Sequence, residues 1–220
     1  MSKIYTATKG LCCWEALHKK GHWKDDFSAK ALAESWEAKP DGFPESVQYV
    51  FLNAAPPLFE HTELLFAFPE YKVRLPGGNR ASQNDIFVIA KAEGGLISIM
   101  VEGKAEESFD RTIAEWLGTD TSDGKKDRLG FLLVQLNLHV NQVMDIKYQL
   151  LHRTVSAMLE AKKVNAPHAL MLVHSFSKNY KGYNHYAEFV SLFGLTAGKE
   201  RIVGPVALNG TEVYFGWVTG

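Results

Sequence analysis

The chain has 220 residues, 22% of them charged and 46% hydrophobic, with a formal net charge of −1. That suits one globular domain, 1–220, with a sizeable core, and it leaves no overall basic footprint for non-specific nucleic-acid binding. No apolar run is long enough to span a bilayer, "MSKIYTATKGLCCWEALHKK" lacks a signal-peptide core, and the only cysteines, Cys12 and Cys13, are adjacent, so reduced thiols in a cytoplasmic protein are expected.

The first clear element is "SAKALAESWEAK", Ser28 to Lys39. It reads as a helix capped by Ser28 and ended by Pro40 and Gly42. Ala29, Leu32, Ala33 and Trp36 share its apolar face, Glu37 borders that face, and Glu34 points nearly opposite. A second short helix is expected over Glu45 to Asn53, and a strand over Glu63 to Phe68, stopped by Pro69. "GGNR", Gly77 to Arg80, reads as a turn; it lacks the G-K-[ST] continuation of a phosphate-binding loop.

A hairpin follows, with strands at Ile86 to Ala90 and Leu96 to Glu102 around the turn "KAEGG". Its strands are almost continuously apolar, which implies cover on both faces. Further on, a helix is expected near Phe109 to Leu117, then a polar loop "GTDTSDGKKD". Helices "RLGFLLVQLNL" and Asp145 to Lys163 come next, then a buried strand from Ala169 to Phe176 and the helix "NHYAEFVSLFG". Asn209-Gly210, between "RIVGPVAL" and "TEVYFGWV", signals a C-terminal hairpin. This mixture predicts an α/β or α+β fold, a mixed central sheet flanked by helices.

The charges of the first hairpin lie at its ends. Side chains alternate along a strand, so Glu102 and Lys104 project to one face, and the hairpin brings Asp85 beside Glu102. Two facing carboxylates favour a shared proton or a bound cation. Oxygen donors suit Mg²⁺ or Mn²⁺, and a neighbouring lysine orients water or stabilises charge on a phosphate. The plain alternative is a turn acid and an exposed Glu–Lys pair, which contributes about 0–1 kcal/mol.

Asp85, a hairpin, then Glu102-Gly103-Lys104 resembles the signature of the PD-(D/E)xK, or restriction-endonuclease-like, nuclease superfamily. "SQND…VEGK", "YQLLHR" and "VHSFS" are similar to a bacterial group within it. The resemblance covers a core of about 28–176, leaving 177–220 as a helix-and-hairpin extension. It implies metal-dependent hydrolysis of phosphodiesters in DNA, less so in RNA, by a chain able to act as a homodimer. Asp85 and Glu102 would hold Mg²⁺ or Mn²⁺, Lys104 would be the catalytic lysine, Glu37 the acid of the first core helix, and Gln149 a site glutamine. Asn84 stands where many members carry proline, and Glu106 and Glu107 make the stretch after Lys104 acidic. A catalytically inactive binding or regulatory module on the same fold is the other reading.

On the long helix, Gln149, His152, Arg153, Ser156 and Glu160 form one stripe. It reads either as a solvated face or as a cleft wall on which His152 and Arg153 meet a substrate phosphate. His174 is expected as a hydrogen-bonded histidine at a strand end. Lys125, Lys126 and Arg128 read as a basic surface cluster or a backbone contact, and the five tryptophans as core. No histidine spacing supports zinc.

Overall fold

The structure is a computed structural model that describes residues 3, 5, 10–17, 23–25, 27–119 and 121–220; the side chains of Cys12 and Ala16 lie outside the described atoms. Helices α1 (Leu11–Leu17), α2 (Ser28–Glu37) and α3 (Glu45–Leu52) precede three strands, β1 (Glu63–Val73), β2 (Ser82–Ala92) and β3 (Gly95–Lys104). Then come α4 (Ile113–Leu117), α5 (Asp123–Leu136), α6 (Tyr148–Lys163), β4 (His168–Ser175), α7 (Tyr183–Ser191), β5 (Arg201–Leu208) and β6 (Thr211–Thr219). The six strands form one mixed sheet in the order β1-β2-β3-β4-β6-β5. The β1–β2, β2–β3 and β5–β6 pairs are antiparallel; β3–β4 and β4–β6 are parallel. No helix among the described residues is long and apolar enough to cross a membrane.

The continuous apolar runs of β2, β3 and β4 follow from cover on both faces. On one face Phe87, Ile89, Met100, Met171 and Val173 pack with α5, α6 and α7. On the other, Ile86, Val88, Ile99, Val101, Leu170 and Leu172 pack with Trp14, Leu32, Trp36, Val47 and Phe51 of α1 to α3. The C-terminal hairpin turns at Asn209-Gly210, both in the left-handed region as a primed turn requires. It is no appendage: β6 is the parallel partner of β4, so the sheet is completed by the last residues of the chain.

Several boundaries differ from expectation for identifiable reasons. β1 runs through Pro69, which pairs with Ile86, because an edge strand tolerates the missing donor. Ser28 begins α2 rather than capping it. α4 starts at a capping box, Thr112 with Glu115, and α5 starts inside the expected polar loop, with Ser122 as its cap. The stripe on α6 is not solvated: His152, Arg153, Ser156 and Glu160 are all buried. Trp14, Trp36 and Trp217 are buried, Trp23 and Trp116 pack against the two cores, and Cys13 is a buried free thiol.

Two members of the basic cluster are structural. Arg128 donates to the carbonyls of Leu75, Pro76 and Gly78, tying α5 to the turn after β1. Lys125 Nζ donates to the carbonyls of Trp116 and Leu117 at the end of α4. Gly77 makes the α5 contact possible: it sits at φ +76°, and a Cβ there would lie 2.3 Å from the Gly124 carbonyl oxygen. Gly130, in the same helix, has open space around its Cβ position. Gly77→Ala is therefore expected to cost more than about 2 kcal/mol, through backbone strain and displacement of α5. Gly130→Ala is expected to stabilise by about 0.5–1 kcal/mol. Urea denaturation of both variants checks the pair.

Candidate functional site

The site forms at the carboxyl end of β3, where the chain leaves the sheet beside β2. The β2–β3 pairing ends at Ile86 and Val101, so Asp85 and Glu102 face each other one position beyond the last rung. The Gly103 N–H donates to Asp85 Oδ2 at 2.8 Å. The Asp85 side chain thus takes up a strand amide released where the ladder stops. Gly103 itself faces α2, where a Cβ would come within 3.2 Å of Leu32 and Ser28. Glycine here lets the first helix layer approach the strand that carries the charges.

Glu102 and Lys104 point to the opposite face, under α6. Glu102 is only 1% exposed. Its Oε1 accepts from Lys104 Nζ at 2.5 Å and its Oε2 from Arg153 Nε. Arg153 NH2 reaches on to Asp85 Oδ1 at 3.5 Å, so one guanidinium bridges the two carboxylates. The Lys104 ammonium also lies 4.9 Å from the centre of the Phe109 ring. An exposed Glu–Lys pair is therefore excluded: these are buried charges, which persist only when paired. Burial by itself would raise the Glu102 carboxyl, but Arg153 and Lys104 outweigh it and hold the group down at about 2. Asp85 keeps 26% of its side chain exposed, yet burial and then the facing charge of Glu102 push its carboxyl up to about 7.

These residues line a cleft of about 850 Å³. Gln149 lines it as expected, accepting from the Asp110 N–H at 2.9 Å. Two expected residues are elsewhere. Glu37 does not line the cleft; its carboxylate accepts from the Trp14 indole at 2.8 Å, which fixes α1 on α2. His152 turns from the cleft toward β2, where its Nδ1 lies 2.7 Å from Ser82 Oγ. Burial, and then the adjacent Arg153, lower its pKa well below the usual histidine range, so it carries no charge to offer a phosphate. His174 is a hydrogen-bonded core histidine, set between Trp36 and Ser46.

The structure adds roles that the sequence did not assign. Glu70 lines the cleft from β1, at φ +54°, with its carboxylate bonded to Gln83. Burial raises its pKa, with Gln83 acting against the rise. A non-glycine residue in the left-handed region beside charged groups is the kind of strain found at functional sites. Glu107 accepts from the Ser28 N–H at 3.1 Å and the Ala105 N–H at 3.3 Å, so a distant acid takes the capping role at α2. Asn84 spans the β1–β2 edge by donating to the carbonyls of Tyr71 and Ser82. Asn84 and Glu107 stood out in the sequence without these contacts, and Glu70 left no trace there.

As a donor set, Asp85 and Glu102 offer hard oxygen atoms at a cleft wall. Among the described residues no group of three or more His, Cys, Asp or Glu converges as a ligand set. A Mg²⁺ ion is commonly held by one or two carboxylates and water, so Asp85 and Glu102 fit it in donor type and number, with Lys104 and Arg153 now paired to them. A second cleft, of about 880 Å³, lies at the other end of the sheet around Leu58, Glu93, His168 and Tyr214 and shares none of these groups.

The family described as Domain of unknown function (DUF6946) matches residues 7–220, and the chain belongs to that family. No curated protein and no solved structure matches it.

The two carboxylates act on stability with opposite sign. Asp85 is raised in the fold, so its ionisation opposes folding and stability falls as pH rises from 3.8 toward about 7. Glu102 is lowered, so its contribution is full above 4.5 and is lost as pH falls toward about 2. Asp85→Asn keeps an acceptor for Gly103 and removes the charge. It is expected to match the wild type at pH 4 and to melt higher at pH 7.5, by about 2–4 °C per kcal/mol recovered. Thermal melts at both pH values, without divalent ions, test this.

Proposed function

We propose that the chain is a metal-dependent phosphodiesterase acting on nucleic acid, DNA before RNA, on a core resembling the PD-(D/E)xK nucleases. The observation that carries this reading is the meeting of Asp85, Glu102 and Lys104 on one cleft wall, at the carboxyl end of a central strand. Asp85 and Glu102 would hold Mg²⁺ or Mn²⁺. Such an ion supplies Lewis acidity toward a phosphoryl oxygen and lowers the pKa of water.

The chain's own contribution follows from the contacts. The Gly103 N–H fixes one oxygen of Asp85, and the other, Oδ1, lies 3.5 Å from Arg153 NH2. Lys104 is held by Glu102 and the Phe109 ring, a buried ammonium able to orient water or stabilise phosphate charge. Gln149, on the first turn of α6, offers a side-chain amide to the same cleft. Arg111, Lys147 and Lys181 line the walls as candidate backbone contacts, among the acids Glu106, Glu107, Asp110 and Glu115.

A second reading, a catalytically silent binding module, is favoured by Arg153, whose guanidinium already contacts both carboxylates. The experiment separates them. The first reading expects cleavage of DNA only with Mg²⁺ or Mn²⁺, reduced by at least about 100-fold in Lys104→Ala. It also expects Mn²⁺ to raise the melting temperature of the wild type but not of Asp85→Ala. Intact DNA and RNA at millimolar metal, with no thermal shift, would sink it in favour of the binding module.

A further inference from the structure

Arg153 stands where a cation would be needed. It is 5% exposed, and it contacts the same two carboxylates that form the donor set. Its contacts are unequal. Nε is tightly bonded to Glu102 Oε2, whereas NH2 reaches Asp85 Oδ1 only at 3.5 Å and NH1 lies 3.5 Å from His152 Nδ1. That His152 nitrogen is already engaged by Ser82 at 2.7 Å. The fork therefore has one strong anchor and two long contacts at the limit of hydrogen bonding. Lys104 has no such freedom, with Glu102 on its ammonium and Phe109 beneath it. Arg153 also lines the open cleft, so an anion entering there meets the guanidinium.

We propose that Arg153 is the resident counter-cation of the Asp85–Glu102 pair and is drawn off it by a phosphate-bearing ligand. Divalent cation and phosphate then bind with positive coupling. This rests on the metal-dependent reading above and adds its regulation. With Arg153 in place, Glu102 Oε2 and Asp85 Oδ1 are occupied and the charge of the pair is offset, so a divalent cation entering alone binds more weakly. A phosphate offers two oxygens that accept parallel N–H bonds from the planar guanidinium fork, and the departure of Arg153 toward the ligand frees both carboxylate oxygens. Coupling of this kind is reciprocal: the factor by which phosphate tightens the cation is the factor by which the cation tightens phosphate. The arrangement would keep the site weakly loaded until a nucleic-acid backbone is present.

The test is Mn²⁺ titration followed by electron paramagnetic resonance of the free ion. It is run with and without thymidine 3′,5′-bisphosphate, which carries two phosphates and no diester to cleave; the nucleotide alone is the control. Wild-type protein is expected to bind Mn²⁺ at least about tenfold tighter with the nucleotide present, within the usual range of such couplings. Arg153→Gln is expected to bind Mn²⁺ alone at least about tenfold tighter than wild type, with the nucleotide effect lost. Arg153→Lys keeps a buried charge without the fork, guards against a folding failure of the glutamine variant, and should shift in the same direction. Equal wild-type affinity with and without nucleotide, or variants no tighter than wild type, would overturn the proposal while leaving a metal-binding wild type intact. Absence of Mn²⁺ binding by all three proteins would overturn the metal-dependent reading and this proposal together.

Discussion

Glu102, a carboxylate buried almost completely at the end of β3, is the group on which the rest of the site depends. An ionised carboxylate away from water costs several kcal/mol unless it is paired and hydrogen-bonded, and removing one partner of such a pair typically costs about 3–5 kcal/mol. The two partners come from different parts of the chain. Lys104 is two residues along the same strand, and Arg153 arrives on α6. Burial of Glu102 is therefore compatible only with a helix docked so that one arginine falls over the strand end. Asp85 is tied in by the same guanidinium and by the Gly103 amide.

The topology explains how those partners meet. β3 and β4 run parallel, so the chain must cross over between them, and α6 lies in that crossover. β6 continues the parallel set, which aligns Lys104, Ser175 and Thr219 at one end of the sheet. Clefts at the carboxyl ends of parallel strands are the usual ligand positions of α/β sheets. The antiparallel β2 then returns to the same end and delivers Asp85. The opposite face is set by size: Gly103 leaves room for Leu32 and Ser28 of α2, and Glu107 ties the loop after Lys104 to the start of that helix. One short stretch, 102–107, thus holds both helix layers to the sheet.

The polar residues of α6 show why part of the site was not legible. Gln149, His152, Arg153, Ser156 and Glu160 recur at helical spacing, which alone distinguishes one side of a helix from the other. It does not tell whether that side meets water or a polar strand. Here it meets β2, β3 and β1: Ser156 and His152 bond to Ser82, Arg153 to Glu102, and Tyr71 to Glu160. The burial of His152, Arg153, Ser156 and Glu160 was not legible because their partners are 51 to 89 positions away in the chain, a distance at which no local pattern carries information. Glu37 illustrates the converse. It borders the correct face of its helix, but the nearest donor is the Trp14 indole, and that contact takes the carboxylate.

What the sequence determined by itself is what local physics controls. The apolar runs of the hairpin required cover on both faces. Alternation put Glu102 and Lys104 on one side, hairpin geometry put Asp85 opposite, and Asn209-Gly210 required a primed turn. Tertiary structure decided everything that depends on which surfaces meet. It ran the C-terminal strand into the middle of the sheet, brought Glu70 to the cleft in a strained conformation, turned His152 inward as a neutral group, and set Arg153 between the two acids. The difference is one of range. Periodicity and turn chemistry act over a few residues, whereas pairing of buried charges is settled only when distant elements pack and water is excluded between them.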